Sequence, residues 1–194
     1  SEGGEADGSR KVSKATGNVT SMAALCGSAL AAMARLYAPF DGEYAKKCLE
    51  KALVAYEFVN GTPKGNSAAG GFYGSKPKYV ADMVTFSVEL YRTTGDKYYL
   101  TEAESYCSWM EAETDYNYNY SLCYNNTEDL AAYLIASTKE SSYSDKALEV
   151  LDFYVNSMYK PTSGYFLNKQ VGAWGKLRFP ANQAFVYGLY SKLK

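Results

Sequence analysis

Two side chains near the end of the sequence have types and spacing suited to holding a ligand. In SGYFLNKQVGAWGKLRFPAN, Trp174 and Arg178 stand four positions apart, just ahead of Pro180. Proline fits the first turn of a helix and disfavours helical backbone at the residue before it. WGKLR therefore reads as the loop that delivers the last helix, with Gly172 and Gly175 letting the backbone bend around the indole. An indole face stacks on the C–H face of a pyranose ring, and a guanidinium donates to its hydroxyls. The same spacing also suits a packed plug in which Arg178 covers Trp174. Spacing alone leaves both open.

Acid–base chemistry would have to come from carboxylates, because the chain has no histidine. That absence removes Ser/His/Asp triads, Cys/His dyads and His-ligated metals together. The candidate acids are Glu128-Asp129 at a predicted helix start, Asp115 in a connector, and Glu111 and Glu113 at a helix end. Inverting glycoside hydrolysis, for example, needs an acid and a base facing each other across roughly 6.5–9.5 Å. None of these residues has a partner that the sequence places opposite it. In polar segments they read as solvated surface, so no catalytic residue is assigned.

Composition narrows the partners. With 20 Lys+Arg against 21 Asp+Glu, the net charge is −1 and no basic run occurs, which argues against nucleic acid and anionic membrane. No apolar stretch is long enough to span a bilayer, and residues 1–17 lack the apolar core of a signal peptide. Cys26, Cys48, Cys107 and Cys123 form no CxxC, so a zinc site is not indicated. Cys26 and Cys48 lie in helical patterns and read as small core residues.

Positioning elements follow from periodicity. Residues 1–14 form an extended arm, and the rest of the chain, 15–194, is one helical unit. Val19, Met22, Ala23, Cys26, Leu30, Met33 and Tyr37 fall at helical spacing, beside an Ala-rich second face fit for close packing, up to Pro39. Further helices are predicted over 43–59, 79–94, 97–112, 126–138, 143–158 and 180–193. DGEYAKKCLEKA, GDKYYLTEAESY and SSYSDKALEVLDFY share a turn, a tyrosine and a helix, and suit stacked helical hairpins. The class is all-α: about seven helices in antiparallel pairs, which stack as an open solenoid or close into a toroid. The long segments 60–78, 114–124 and 159–179 each follow the second helix of a pair. They gather Phe72, Tyr73, Tyr116, Tyr124, Tyr165, Trp174 and Phe179 at one end of the stack.

Several long motifs resemble glycoside hydrolase family nine, the inverting cellulases. WGKLRF followed by Ala181-Asn182-Gln183-Ala184-Phe185 resembles the family's W-G-S-L-R-Y and A-x-N-x-A-F. VELYRTTGDKYYLTEAESY resembles W-L-Y-x-A-T-G-D-x-x-Y-L-x-x-A-E, and the likeness extends over about residues 10–193. It implies part of an (α/α)6 toroid and an endo-β-1,4-glucanase that inverts configuration. Trp174, Arg178 and Phe179 would line the glucan cleft, with Tyr124, and Tyr79 in the segment PKYVADM, as further binding residues. That segment matches one that ligates calcium in some members. Asp82 keeps one acid and Ala81 replaces the other, while Asp129 falls at a further calcium-binding position. Ca²⁺ takes about six to eight oxygens, so the alternative is that Asp82 and Asp129 are first-turn helix acids and no cofactor is bound. The family's D-A-G-D base motif and its His/Arg and acid-Glu segment have no counterpart here. The resemblance thus implies the middle portion of a secreted, extracellular cellulase, inactive alone, that associates with the remaining segments or with itself. A non-catalytic helical module that binds a polysaccharide or a protein is the competing reading.

Overall fold

A computed structural model describes residues 19–62, 79–111, 122, 126–158 and 178–194. The arm 1–14, Trp174, Tyr124 and nearly all of the aromatic segments lie outside the described residues. Among the described residues, seven α-helices run in the order α1 Thr20–Tyr37, α2 Gly42–Gly61, α3 Tyr79–Thr94, α4 Lys97–Ser105, α5 Glu128–Ala136, α6 Ser144–Met158 and α7 Arg178–Tyr190. No strand occurs among the described residues.

The expected hairpin turns are built as the repeat implies. Asp41 caps α2 by accepting the Tyr44 N–H at 2.9 Å, and Asp96 caps α4 by accepting that of Tyr98 at 2.9 Å. Gly95, at φ 74°, takes the left-handed turn that closes α3, its N–H donating to Tyr91 O. Before α6 the turn is held from outside instead: Glu104 accepts from Ser141 Oγ at 2.9 Å and from the Ser142 N–H at 2.7 Å. The predicted helix 97–112 is in fact split. α4 stops at Ser105, and Cys107–Glu111 continue as a 3-10 turn around buried Cys107 and Met110. There burial pushes the Cys107 thiol up to about 12, which keeps it protonated and inert.

Cross-helix hydrogen bonds fix direction. Ser21 at the start of α1 reaches Asp82 at the start of α3, and at the other ends Thr93 Oγ1 donates to Ala31 O at 2.9 Å. Thr127, just before α5, reaches Asp82, while Arg92 near the end of α3 donates to Leu134 O at 3.3 Å. So α1, α3 and α5 run parallel and side by side as an inner row, and α2, α4 and α6 return along the outside. Helix α3 is the centre of the row, with every residue from Ala81 to Leu90 buried. One core joins it to α1 and α2 through Phe86, Met83, Leu90, Tyr56 and Val59. The other joins it to α5, α6 and α7 through Val84, Val88, Ile135, Leu151 and Val186.

One expectation is corrected here. The Ala-rich face of α1 packs closely as expected, burying Ala24, Gly27, Ser28, Ala31 and Ala34, but Cys26, expected in the core, is exposed, as is Met22. Small residues let α1 approach α3 closely, while Leu30 packs at the margin of that core and Met22 and Leu36 are turned to solvent. Cys48, by contrast, is buried as expected.

Candidate functional site at the rim of the inner helices

The parallel row brings the N-terminal ends of α1, α3 and α5 to one rim, where unpaired backbone N–H groups and the helix dipoles concentrate positive potential. Asp82, Glu128 and Asp129 sit in the first turns of α3 and α5. They are first-turn acids, as the alternative reading held, but Glu128 and Asp129 are not solvated surface. Each is only 1% exposed, and Asp82 is 4% exposed.

Asp82 is the joint of the rim. One carboxylate oxygen accepts from Ser21 Oγ and the other from Thr127 Oγ1 at 2.5 Å, so α1, α3 and the start of α5 meet on one side chain. Thr127 occupies the N-cap of α5, yet its hydroxyl spans to Asp82 instead of capping its own helix. Asn126 supplies the cap, its Oδ1 accepting the Glu128 N–H at 3.0 Å. Glu128 Oε2 accepts from Tyr154 OH at 2.7 Å, which ties α5 to α6. Asp129 Oδ1 accepts the Leu130 N–H at 2.9 Å.

Burial raises the Asp82 carboxyl above the usual carboxylate range, and the Ser21 and Thr127 hydroxyls pull it partly back. A folded-state pKa above the unfolded one means that ionisation costs the fold. Asp82 favours folding most below the unfolded carboxylate range, and this contribution is lost as pH rises through its raised folded value. Asp82→Asn keeps an acceptor and a donor for the two hydroxyls and removes the charge. The variant is expected to melt at or above the wild-type temperature near pH 7, with a smaller difference between about pH 4 and pH 7. An unchanged pH difference would mean that Asp82 does not carry this term.

The expected binding residues divide. Tyr79 opens α3 at the rim, partly buried against the α1–α3 core. Arg178 and Phe179 open α7, two residues earlier than expected, because Pro180 lies in the first turn, where no N–H is needed. Their side chains lie outside the described residues, as do Trp174 and Tyr124. Asn182 Nδ2 donates to Leu122 O at 2.8 Å, linking the start of α7 to the connector that carries Tyr124. The sequence reading missed Ser21, Thr127 and Tyr154, whose partners are 61, 45 and 26 residues away. No local signal marks such pairs. An open cavity between Ala136 and Asp145 lies at the opposite end of α5 and takes no part in the rim.

Parallel inner helices, antiparallel outer ones and a rim of buried acids define an α-hairpin protein of the toroid type. The sequence profile of Glycosyl hydrolase family 9 matches residues 3–194, and the chain belongs to that family. Endoglucanase 4 of Bacillus sp. (strain KSM-522) is 28% identical over 189 residues, covering 89% of this chain and 28% of the relative. Endoglucanase B of Cellulomonas fimi is 29% identical over 181 residues, covering 88% and 17%. The solved endoglucanase of the termite Nasutitermes takasagoensis superposes with a TM-score of 0.75 at 25% identity, covering 90% of this chain and 40% of that one. The solved relatives are (α/α)6 barrels, of which α1, α3, α5 and α7 supply an arc. The chain thus spans well under half the length of the relatives it matches.

Proposed function

We propose that this chain is the glucan-binding portion of an extracellular endo-β-1,4-glucanase that inverts configuration, and that it lacks the catalytic acid and base itself. The observation that carries the reading is the convergence of the α1, α3 and α5 N-termini on one rim, which Tyr79 opens; Asn182 at the start of α7 is tied to Leu122 in the connector ahead of α5. In this reading Trp174 and Tyr124 stack on pyranose rings, Arg178 donates to hydroxyls, and Phe179 and Tyr79 complete the apolar wall. Asp82, Glu128 and Asp129 support the rim. They are buried and hydrogen-bonded inside it, which suits neither a water-activating base nor a proton donor to a bound sugar.

The reading assigns no cofactor. Asp82 and Asp129 are the places for a calcium ion, but both Asp82 oxygens already accept hydroxyl protons and Ala81 offers no side-chain oxygen. Among the described residues, no three His, Cys, Asp or Glu side chains are grouped to hold a metal. Melting with and without added Ca²⁺ should therefore coincide.

The remaining segments of the catalytic domain are the natural partners, and β-1,4-glucan the substrate. The chain alone should release no reducing sugar from soluble β-1,4-glucan yet bind it in affinity electrophoresis. Trp174→Ala should weaken binding about tenfold, the loss of ~1.4 kcal/mol of stacking. Unchanged retardation of that variant would remove Trp174 from the subsite. The competing reading, a non-catalytic helical module, draws on the same burial of the rim acids. It predicts no hydrolysis even with the remaining segments supplied.

A further inference from the structure

Among the described residues, Leu122 is the one residue other than glycine with a positive φ, at 44°. A branched side chain in the left-handed region is strained, and it persists there only where its surroundings hold it. Two contacts do so. The Leu122 side chain packs, partly buried, against the core shared by α5, α6 and α7, and its carbonyl accepts from Asn182 Nδ2 at 2.8 Å. Apolar packing has no direction of its own, so the amide is the contact that sets how the peptide is turned. The donor stands on a well-seated helix. Asn182 lies in the second turn of α7, ahead of the buried Gln183 and Val186.

We infer that Asn182 is a positioning residue for glucan binding: by holding Leu122 O it fixes the connector that enters α5 against the helix that follows WGKLRF. This rests on the glucan reading above and adds a residue that acts through the backbone rather than on the sugar. Leu122 stands two positions before Tyr124. Asn126, two positions beyond it, is held at the start of α5 by the Glu128 N–H. Tyr124 is thus bracketed in sequence by two anchored residues. On the other side, Arg178 and Phe179 open α7 one turn before Asn182. One amide therefore couples two segments expected to bind sugar, through partners 60 residues apart in sequence. A subsite depends on such coupling, because groups displaced by about 1 Å from their mutual register lose much of their effect. The residue type matters. A neutral amide donates to the carbonyl, alanine donates nothing, and an ionised aspartate offers only acceptors.

The test is affinity electrophoresis on soluble β-1,4-glucan at about pH 7 and pH 4, with the melting of each variant recorded beside it. Asn182→Ala should bind about fivefold more weakly than wild type at both pH values, the worth of one hydrogen bond. Asn182→Asp should be at least as weak at pH 7, where its carboxylate confronts the Leu122 carbonyl. At pH 4 it should return to within about twofold of wild type, because the facing carbonyl favours the protonated acid, which donates in place of the amide. Ser144→Ala is the control. It removes a bond of the same kind, Ser144 Oγ to Ala136 O at 3.1 Å, at the opposite end of α5, and should leave affinity unchanged. A role in stability alone would shift melting without this pH-dependent return of affinity. Should Asn182→Ala fail to fold, Asn182→Asp compared with wild type at the two pH values carries the test. Retardation of Asn182→Ala equal to wild type, an equal loss in Ser144→Ala, or no recovery of Asn182→Asp at pH 4 would each overturn the positioning role and leave the glucan reading standing. A wild-type chain that is not retarded at either pH would overturn the glucan reading, and the positioning role with it.

Discussion

Gly27→Ala is expected to pry α1 off α3 and lower stability by ~2 kcal/mol. A Cβ built at Gly27 would lie 2.1 Å from Phe86 Cζ and 2.6 Å from Cε1 and Cε2. The ring has nowhere to go. Phe86 is fully buried in the α1–α2–α3 core, with Tyr56 edge-on at 5.3 Å between ring centres and Met83 and Leu90 in the same cluster. Alanine gains up to ~1 kcal/mol of helix propensity over glycine. Overpacking a close-packed site costs ~1–3 kcal/mol, and here the upper end applies because the struck atoms belong to a locked ring rather than a flexible tip. Gly188→Ala is the control. Nothing lies within 4 Å of its added Cβ, so the propensity gain should appear uncancelled. Urea unfolding of both variants decides the matter, and Phe86→Leu in the Gly27→Ala background should recover about half of the loss. A Gly27→Ala chain as stable as wild type would falsify the close approach of α1 and α3.

The same contact shows which parts of the fold are legible in the sequence. Helix count, the antiparallel pairs and the capping aspartates follow from local signals: period, Asp41 and Asp96 at caps, Gly95 at a stop. The Ala-rich face of α1 is also legible as a close-packing face, but the extent of burial is not: helical spacing suggests Cys26 for the core, whereas the helix buries Ala24, Gly27, Ser28, Ala31 and Ala34 and leaves Cys26 exposed. Close approach rewards small side chains. The rim acids escaped for a related reason. Glu128-Asp129 at a helix start looks like an ordinary solvated first turn. Only the fold brings Tyr154 to Glu128 and joins Ser21 and Thr127 through Asp82, tens of residues apart in sequence. The aromatic residues expected to bind glucan were found by motif, not by period, because stacking on a sugar imposes no local backbone pattern.

At the far end of the inner row the charge network predicts the second large effect. Arg35 Nη2 lies 2.6 Å from Glu89 Oε2, and Arg92 Nη1 lies 3.7 Å from Glu89 Oε1. Arg92 Nη2 also donates to Leu134 O at 3.3 Å and to Ser137 Oγ, so one guanidinium bridges α3 to α5 while Glu89 bridges α3 to α1. The Glu89 side chain is only 11% exposed. Burial pulls the Arg92 guanidinium below its ordinary value, and Glu89 opposes that shift. Breaking a buried pair by removing one partner costs more than the pair contributes, because the charge left behind stays desolvated. Arg92→Ala should therefore cost ~2–3 kcal/mol, below the ~3–5 kcal/mol of a fully buried pair, since Arg35 still faces Glu89 and Arg92 is itself part-exposed. Arg92→Lys should recover little of it, because a point charge cannot reach Glu89 and the end of α5 at once. Lys146→Ala breaks the pair with Glu149, whose side chain is 68% exposed, and should change stability by less than ~0.5 kcal/mol. Equal shifts in urea midpoint for Arg92→Ala and Lys146→Ala would show that the network is surface charge and that apolar packing alone joins α3 to α5. A large shift for Arg92→Ala with Arg92→Lys close behind it establishes that geometry, not charge alone, holds the inner row in register at the end opposite the rim.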